Sequence, residues 1–297
     1  MANGNSPLRG RVVVVTGAAR GLGAAMSREL SRRGARLALL GREGSTLARV
    51  AGELGGEAHC WEVDVTDDDA MARVARDMRE RMGPAFAVVA NAGVAEGGPF
   101  LSTDPATWRR VVEVNLVGSA VTARVFLPGL LETRGFLLQI ASLAAFGTSP
   151  MMSAYCASKA GAEALAHALR AEFAYRGVGV GISYLNWTDT DMVRDADRHA
   201  VLRELRGHMP RAARRVYPAD VVAARLVTQI ERRSTAVYVP GWLRAVHAVR
   251  AALPPVVTWV ASRELPRLAR ETDFAPTGLL GAGGRADSAA GVERPPG

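Results

Sequence analysis

A chain of 297 residues, 48% hydrophobic and 22% charged, has the apolar content for one large α/β domain with appendages. Its net charge of +8 is spread over short clusters such as Arg32-Arg33, Arg109-Arg110, Arg214-Arg215 and Arg232-Arg233, without base-stacking motifs or zinc-finger spacing, so no nucleic-acid partner is expected. Cys60 and Cys156 form no disulfide framework, the histidines lack metal-ligand spacing, and neither a signal-peptide core nor an apolar run of bilayer length occurs. The cytoplasm is the expected compartment.

Val12 to Val15 is a β-branched run between turn residues, which predicts a strand buried on both faces. A glycine-rich turn from Gly17 to Gly23 leads into a helix carrying Met26 and Leu30. Arg36 to Leu40 reads as a second strand, Leu47 to Leu54 as a helix and His59 to Val63 as a third strand. Thr66 or Asp67 then caps a helix through Met82. Phe86–Ala90 is a fourth strand, Trp108–Leu131 one long helix and Phe136–Ile140 a fifth strand. A helix over Ser153–Tyr175, a sixth strand over Val178–Leu185, a helix over Pro218–Arg232 and a short strand over Ala236–Val239 complete the series. Strands alternating with helices predict a single doubly wound parallel sheet of Rossmann type, covered by helices on both faces. In such sheets ligands bind beyond the carboxyl ends of the strands.

The domain boundaries expected are a flexible tail over residues 1–9, a catalytic domain over 10–240, an amphipathic helical extension over 241–272 and a disordered Gly/Ala/Pro/Arg-rich tail over 273–297. In the extension, Leu243, Val246, Val249 and Leu253 form a stripe beside Arg244 and Arg250. It reads as a lid, an oligomer surface or a peripheral membrane anchor, with the membrane the least favoured.

Lys159 is the sole lysine among thirty-seven basic residues. A chain that uses arginine for nearly all positive charge keeps an ammonium where a compact cation with a movable pKa serves better than a guanidinium. Tyr155 lies four residues earlier, on the same helical face. A cation there favours the phenolate and lowers the tyrosine pKa, as general acid/base chemistry near neutral pH requires.

These residues do not stand alone. Gly17-x-x-x-Gly21-x-Gly23 follows the first strand, and Asn91-Ala92-Gly93 follows the fourth. Asn115, Ser142 and Tyr155-x-x-x-Lys159 then come in order, with thirteen residues from Ser142 to Tyr155. Over residues 10 to 240 the chain resembles a short-chain dehydrogenase/reductase of the classical type. The resemblance implies an oxidoreductase that binds a nicotinamide dinucleotide and interconverts alcohols and carbonyls. Tyr155 would be the proton donor or acceptor. Lys159 would lower its pKa and hold the nicotinamide ribose, and Ser142 would steady charge on the substrate oxygen. Asn115 would hold a water linking Lys159 to solvent. Thr16, Gly17, Ala19, Arg20, Gly21, Leu22 and Gly23 would cradle the diphosphate, with Asn91, Ala92, Gly93, Thr188 and Thr190 further along the cofactor. Asp64 and Val65 would meet the adenine. Homodimers or homotetramers through the two long helices are also implied.

Arg42, at the end of the second strand, and Arg20, in the glycine turn, suit bidentate contact with a 2′-phosphate and favour NADP(H). NAD(H) remains open if Glu43 takes the ribose instead. Asn186 stands where the family has glycine, and asparagine tolerates left-handed backbone. Phe146, Met151, Met152, Trp187 and Met192 either form an adaptable apolar pocket for a lipophilic ketone or secondary alcohol, or are ordinary core. The alternative function is a catalytically idle dinucleotide-binding regulator or scaffold of the same fold. The complete Asn115, Ser142, Tyr155, Lys159 set argues against it.

Overall fold

The computed structural model describes residues 6–147, 149–271 and 274–292. Strand β1 (Val12–Thr16) shows why four consecutive valines suit a central position. Val12 and Val14 enter one apolar core while Val13 and Val15 enter the other. The chain continues through α1 (Gly21–Arg32), β2 (Arg36–Gly41), α2 (Gly44–Gly52), β3 (Ala58–Glu62), α3 (Asp68–Met82) and β4 (Ala87–Ala90). Asp67 caps α3 by accepting from Ala70 N.

Next come α4 (Pro105–Val112), α5 (Gly118–Thr133), β5 (Phe136–Ser142), α6 (Ser153–Phe173), β6 (Gly179–Leu185), α7 (Asp191–Ala196), α8 (Ala200–Gly207), α9 (Ala219–Arg232) and β7 (Ala236–Val239). All pairings are parallel, in the order β3-β2-β1-β4-β5-β6-β7. The winding reverses between β1 and β4, which opens a crevice at their carboxyl ends.

The single long helix predicted over Trp108–Leu131 is longer and is not regular throughout. A π turn, Glu113–Val117, separates α4 from α5 and carries Asn115. Such turns insert one residue and re-aim the side chains around them. By length and composition the continuous stretch Pro105–Thr133 could cross a bilayer, yet more than half of its most apolar window is packed inside the protein.

Beyond β7 the chain forms α10 (Leu243–Ala248) and α11 (Leu253–Glu271). Their anchor is Glu163 of α6, 4% exposed, which accepts from Tyr184 Oη at 2.7 Å and Arg250 Nη1 at 2.8 Å, with His247 Nε2 at 3.2 Å. Phe146, expected at the substrate mouth, belongs to this cluster instead. Its ring lies 4.9 Å from that of Tyr184 and 4.7 Å from that of His247.

The tail expected to lack order from residue 273 onward contains a helix, α12 (Gly281–Val292). Its glycines disfavour helix, but long-range contacts override propensity. Residues around 277–280 hydrogen-bond residues 95–97, and Glu96 and Leu279 form an antiparallel bridge. Residues 293–297 lie outside the described residues. So do residues 1–5 of the N-terminal segment expected to be flexible, where Leu8 is fully buried.

Candidate active site

The turn after β1 is shaped by glycine. Gly17 has φ +64° and Gly21 φ +50°, and a Cβ on Gly23 would sit 2.1 Å from the Gly17 carbonyl oxygen. Helix α1 starts there with no side-chain cap and no acidic residue in its first turn, so its N-terminal amides face the cleft. Thr16, expected to touch a cofactor, is turned inward. It is 1% exposed, and its Oγ1 accepts from Asn91 N at 3.0 Å and Ala92 N at 3.1 Å. Thr16 therefore locks the ends of β1 and β4 together and leaves the cleft to its neighbours.

Gly17, Ala19 to Gly23, Arg42, Asp64, Val65, Asn91 to Gly93, Ser142, Tyr155, Lys159, Thr188 and Thr190 all line one cleft of about 290 Å³ at the carboxyl ends of the strands. Ser142 closes β5, and the first turn of α6 brings Tyr155 beside it. Lys159 is 5% exposed; its Nζ donates to the Ile140 carbonyl at 3.2 Å and lies 5.8 Å from the centre of the Tyr155 ring. Burial lowers the Lys159 pKa to about 8.

The expected acidification of the phenol is not what the cleft produces. Burial around the hydroxyl raises the Tyr155 pKa, and a hydrogen bond with Ser142 opposes only part of that rise. The reason is geometric and dielectric together: the ammonium is directed at a backbone carbonyl and is itself desolvated.

Asn115 stands behind the cleft, fully buried. Its Oδ1 accepts from Val94 N at 2.8 Å, and its Nδ2 donates to Val94 O at 2.9 Å and to Ser158 Oγ at 2.9 Å. Both N–H bonds are spent, so only the second lone pair of Oδ1 is left for a water. The carboxamide thus clamps the segment after β4 to α6, which holds Tyr155 and Lys159.

At the adenosine end, Arg20 Nε binds Glu43 Oε2 at 2.6 Å, so the residues favouring the two rival cofactors neutralise each other. Arg42 pairs with Asp287 of α12 and lies 3.7 Å from Asp64. Asp64 also accepts from Arg110 Nη2 at 2.6 Å. Burial works against the Arg110 charge, but Asp287 and Asp64 together raise its pKa above the ordinary arginine value.

The short chain dehydrogenase family model matches residues 11–200. The chain belongs to that family. Among its relatives is galactitol 2-dehydrogenase (L-tagatose-forming) of Cereibacter sphaeroides, 34% identical over 80% of this chain and 94% of that enzyme. "Inactive 2-(S)-hydroxypropyl-CoM dehydrogenase 2" of Xanthobacter autotrophicus is 34% identical over 53% of this chain and 69% of its own length. The probable oxidoreductase EphD of Mycobacterium tuberculosis is 31% identical over 82% of this chain, which spans only 43% of that longer relative. A metagenomic short-chain oxidoreductase solved in complex with NADP superposes with a TM-score of 0.62 at 31% identity, covering 78% of this chain and 97% of that one.

On the nicotinamide side this short-chain dehydrogenase departs from the expectation for Asn186. The asparagine is absent from the left-handed region; it is 8% exposed, and its Nδ2 donates to Ala213 O at 2.8 Å. A side-chain bond in place of a special φ holds the turn. Thr190 precedes α7 and packs on the glycine turn, its Cγ2 3.1 Å from where a Cβ on Gly21 would stand.

Trp187, expected to meet substrate, is absent from the cleft lining and has Arg206 over its ring at 5.3 Å. Met152 packs with Tyr155, Met192, Ala95, Ala196 and Leu280 in a small apolar cluster beside the catalytic tyrosine candidate. Arg110 and the segment Leu280–Asp287 also line the cleft and were not foreseen from the sequence. Arg110 looked like one of several surface arginine pairs, and a glycine-rich tail carries no periodic signal.

Proposed function

We propose that this short-chain dehydrogenase is an NADP(H)-dependent oxidoreductase that interconverts a carbonyl and a secondary alcohol. The observation that carries the reading is the convergence of Ser142, Tyr155 and Lys159 on one cleft with an uncapped helix N-terminus behind a glycine turn. The glycine cradle fits a diphosphate because any Cβ on Gly23 would occupy the backbone's own space. Arg42 and Arg110 suit the 2′-phosphate, and the metagenomic relative of known structure was solved with NADP.

A bound nicotinamide would supply or accept the hydride. In reduction the substrate oxygen takes a hydrogen bond from Ser142 and a proton from Tyr155 as the carbonyl carbon gains its new C–H bond. In oxidation the same phenol oxygen takes the alcohol proton. A raised phenol pKa keeps Tyr155 protonated at neutral pH, which suits the reductive direction. Lys159 would hold the ribose hydroxyls and return a proton to Tyr155, with the free lone pair of Asn115 Oδ1 left for a water on that path.

The Met152, Met192 and Leu280 cluster supports a lipophilic ketone or alcohol as substrate, without Phe146 or Trp187. Helix α6 leaves Ala157, Ala160, Ala164 and Ala168 exposed along one face, which supports association of two copies through the long helices. The idle-regulator reading keeps one observation in its favour: α12 forms part of the cleft wall. NADPH consumption across a carbonyl library, with Tyr155→Phe as control, decides between them. Turnover abolished by the substitution supports the enzyme; no turnover on any carbonyl, with NADPH still bound, supports the regulator.

A further inference from the structure

At the adenosine end of the cleft two arginines grip a residue of the tail. Asp287 is 7% exposed; its Oδ2 accepts from Arg110 Nε at 2.8 Å and its Oδ1 from Arg110 Nη2 at 2.7 Å, and Arg42 Nη1 completes the cage. Gly281 to Gly284 and Ala286 line the same cleft as the glycine turn and Asn91. The space left, about 290 Å³, is at the bottom of the roughly 300–1,000 Å³ range of small-molecule sites. A dinucleotide is larger than the drug-sized molecules such sites hold.

We propose that α12 is a tethered competitor of the cofactor: Asp287 occupies the anion position between Arg42 and Arg110, and the helix must leave before a dinucleotide binds. The inference rests on the reading of this cleft as an NADP(H) site.

Carboxylate and phosphate are both recognised by the guanidinium fork, so one anion can replace the other. The replacement is favourable in charge, since a phosphate monoester carries up to about two negative charges against one for Asp287. Departure of α12 does not strand the cations, because Asp64 remains 2.6 Å from Arg110 and 3.7 Å from Arg42.

The helix is also built to detach. Gly281, Gly283, Gly284 and Gly291 make it one of the weaker helix-forming sequences in the chain. Outside the arginine cage it is tied by Asp195, which accepts from Gly281 N at 2.7 Å and from Arg285 Nη1 at 2.8 Å. The segment before it is fastened separately, with Thr277 N donating to Gly97 O and Leu280 N to Ala95 O. Detachment at Gly281, whose φ is +79°, would therefore free α12 while leaving Leu280 in the substrate-side cluster.

The test is the equilibrium Kd of NADPH and of NADH for the full chain, Asp287→Ala and Asp195→Ala, with hydrogen exchange of α12 followed alongside. Removing either tie raises the fraction of open cleft, so both cofactors tighten by the same factor, about tenfold or more, and saturating NADPH strips α12 of exchange protection. Unchanged or weaker binding in both variants overturns the inference, because α12 would then be inert or a cover that closes over the cofactor. Tightening of NADPH alone overturns it too, leaving Asp287 as a repulsive neighbour of the phosphate and not a displaced one. Failure of every form to bind either cofactor removes the NADP(H) reading itself; tail-independent binding removes only this inference.

Discussion

The Lys159 ammonium donates to the Ile140 carbonyl at 3.2 Å while its Nζ stands 5.8 Å from the centre of the Tyr155 ring. The end of β5 thus presents Ser142 to the cleft and, two residues earlier, aims the cation beneath it. Strand and helix together set the spacing of proton donor and cation.

Lys159→Met is expected to separate stability from activity. Burial holds this amine at about 8 in the fold, against 10.5 when free. Between those values the unfolded chain binds the extra proton, so stability rises with pH through that window; below pH 8 the penalty is fully present, on the order of 3 kcal/mol. Thermal melts should therefore show the variant as stable as the parent or more so at pH 7, with the difference shrinking towards pH 10. Carbonyl reduction should fall by about a hundredfold or more. Parallel stability–pH curves for the two proteins would refute the buried-ammonium account.

Tyr155 should make the two reaction directions respond differently to pH. With the phenol pKa raised by burial, the protonated form dominates at neutral pH. Reduction should be level from pH 6 to 8, because the phenol stays protonated below its raised pKa, while alcohol oxidation climbs over the same range. Initial rates in both directions on one substrate pair, with Tyr155→Phe inactive in each, check this. An oxidation rate independent of pH would contradict it.

Gly23→Ala should close the diphosphate cradle. The added methyl would lie 2.1 Å from Gly17 O and 2.8 Å from Asn91 Nδ2, and neither backbone nor clamp can yield cheaply. Overpacking of this kind costs about 1–3 kcal/mol in stability. Cofactor binding by titration should be lost while circular dichroism still reports a folded chain. A variant that binds NADPH as the parent does would show that the cradle lies elsewhere.

Glu163→Ala should loosen the C-terminal extension without touching the cleft. The substitution leaves Tyr184 Oη, His247 and Arg250 without their shared acceptor. A loss of about 1–3 kcal/mol follows from stranding the buried Tyr184 hydroxyl, while the half-exposed Arg250 turns to water. Limited proteolysis should cut earlier between α10 and α11 than in the parent. Unaltered cleavage would mean that the apolar contacts of Leu243 and Leu253 hold the extension on their own.

Much of the architecture was legible in the chain because its signals are local. Val12 to Val15 announced a strand sealed on both faces, Asp67 a helix cap, and Gly17, Gly21 and Gly23 a turn that only glycine can make. The glycine turn, Asn91-Ala92-Gly93, Asn115, Ser142 and the Tyr155 and Lys159 pair, met in that order, carried the resemblance to the family. Side-chain direction was less accessible. Thr16 and Phe146 have the right residue type at the right place in the chain, yet one ties two strands together and the other packs its ring against Tyr184 and His247.

Composition, periodicity and motif order sufficed for a parallel α/β sheet with a tyrosine and lysine at its carboxyl edge, since each depends on residues within a turn or two of one another. The protonation balance of Tyr155, the pairing of Arg20 with Glu43 and the capture of Arg42 and Arg110 by Asp287 depend on burial and on partners up to 245 residues apart. No window of sequence contains those distances. The energies of charges in a low-dielectric cleft are set by whatever the whole fold brings within a few ångströms.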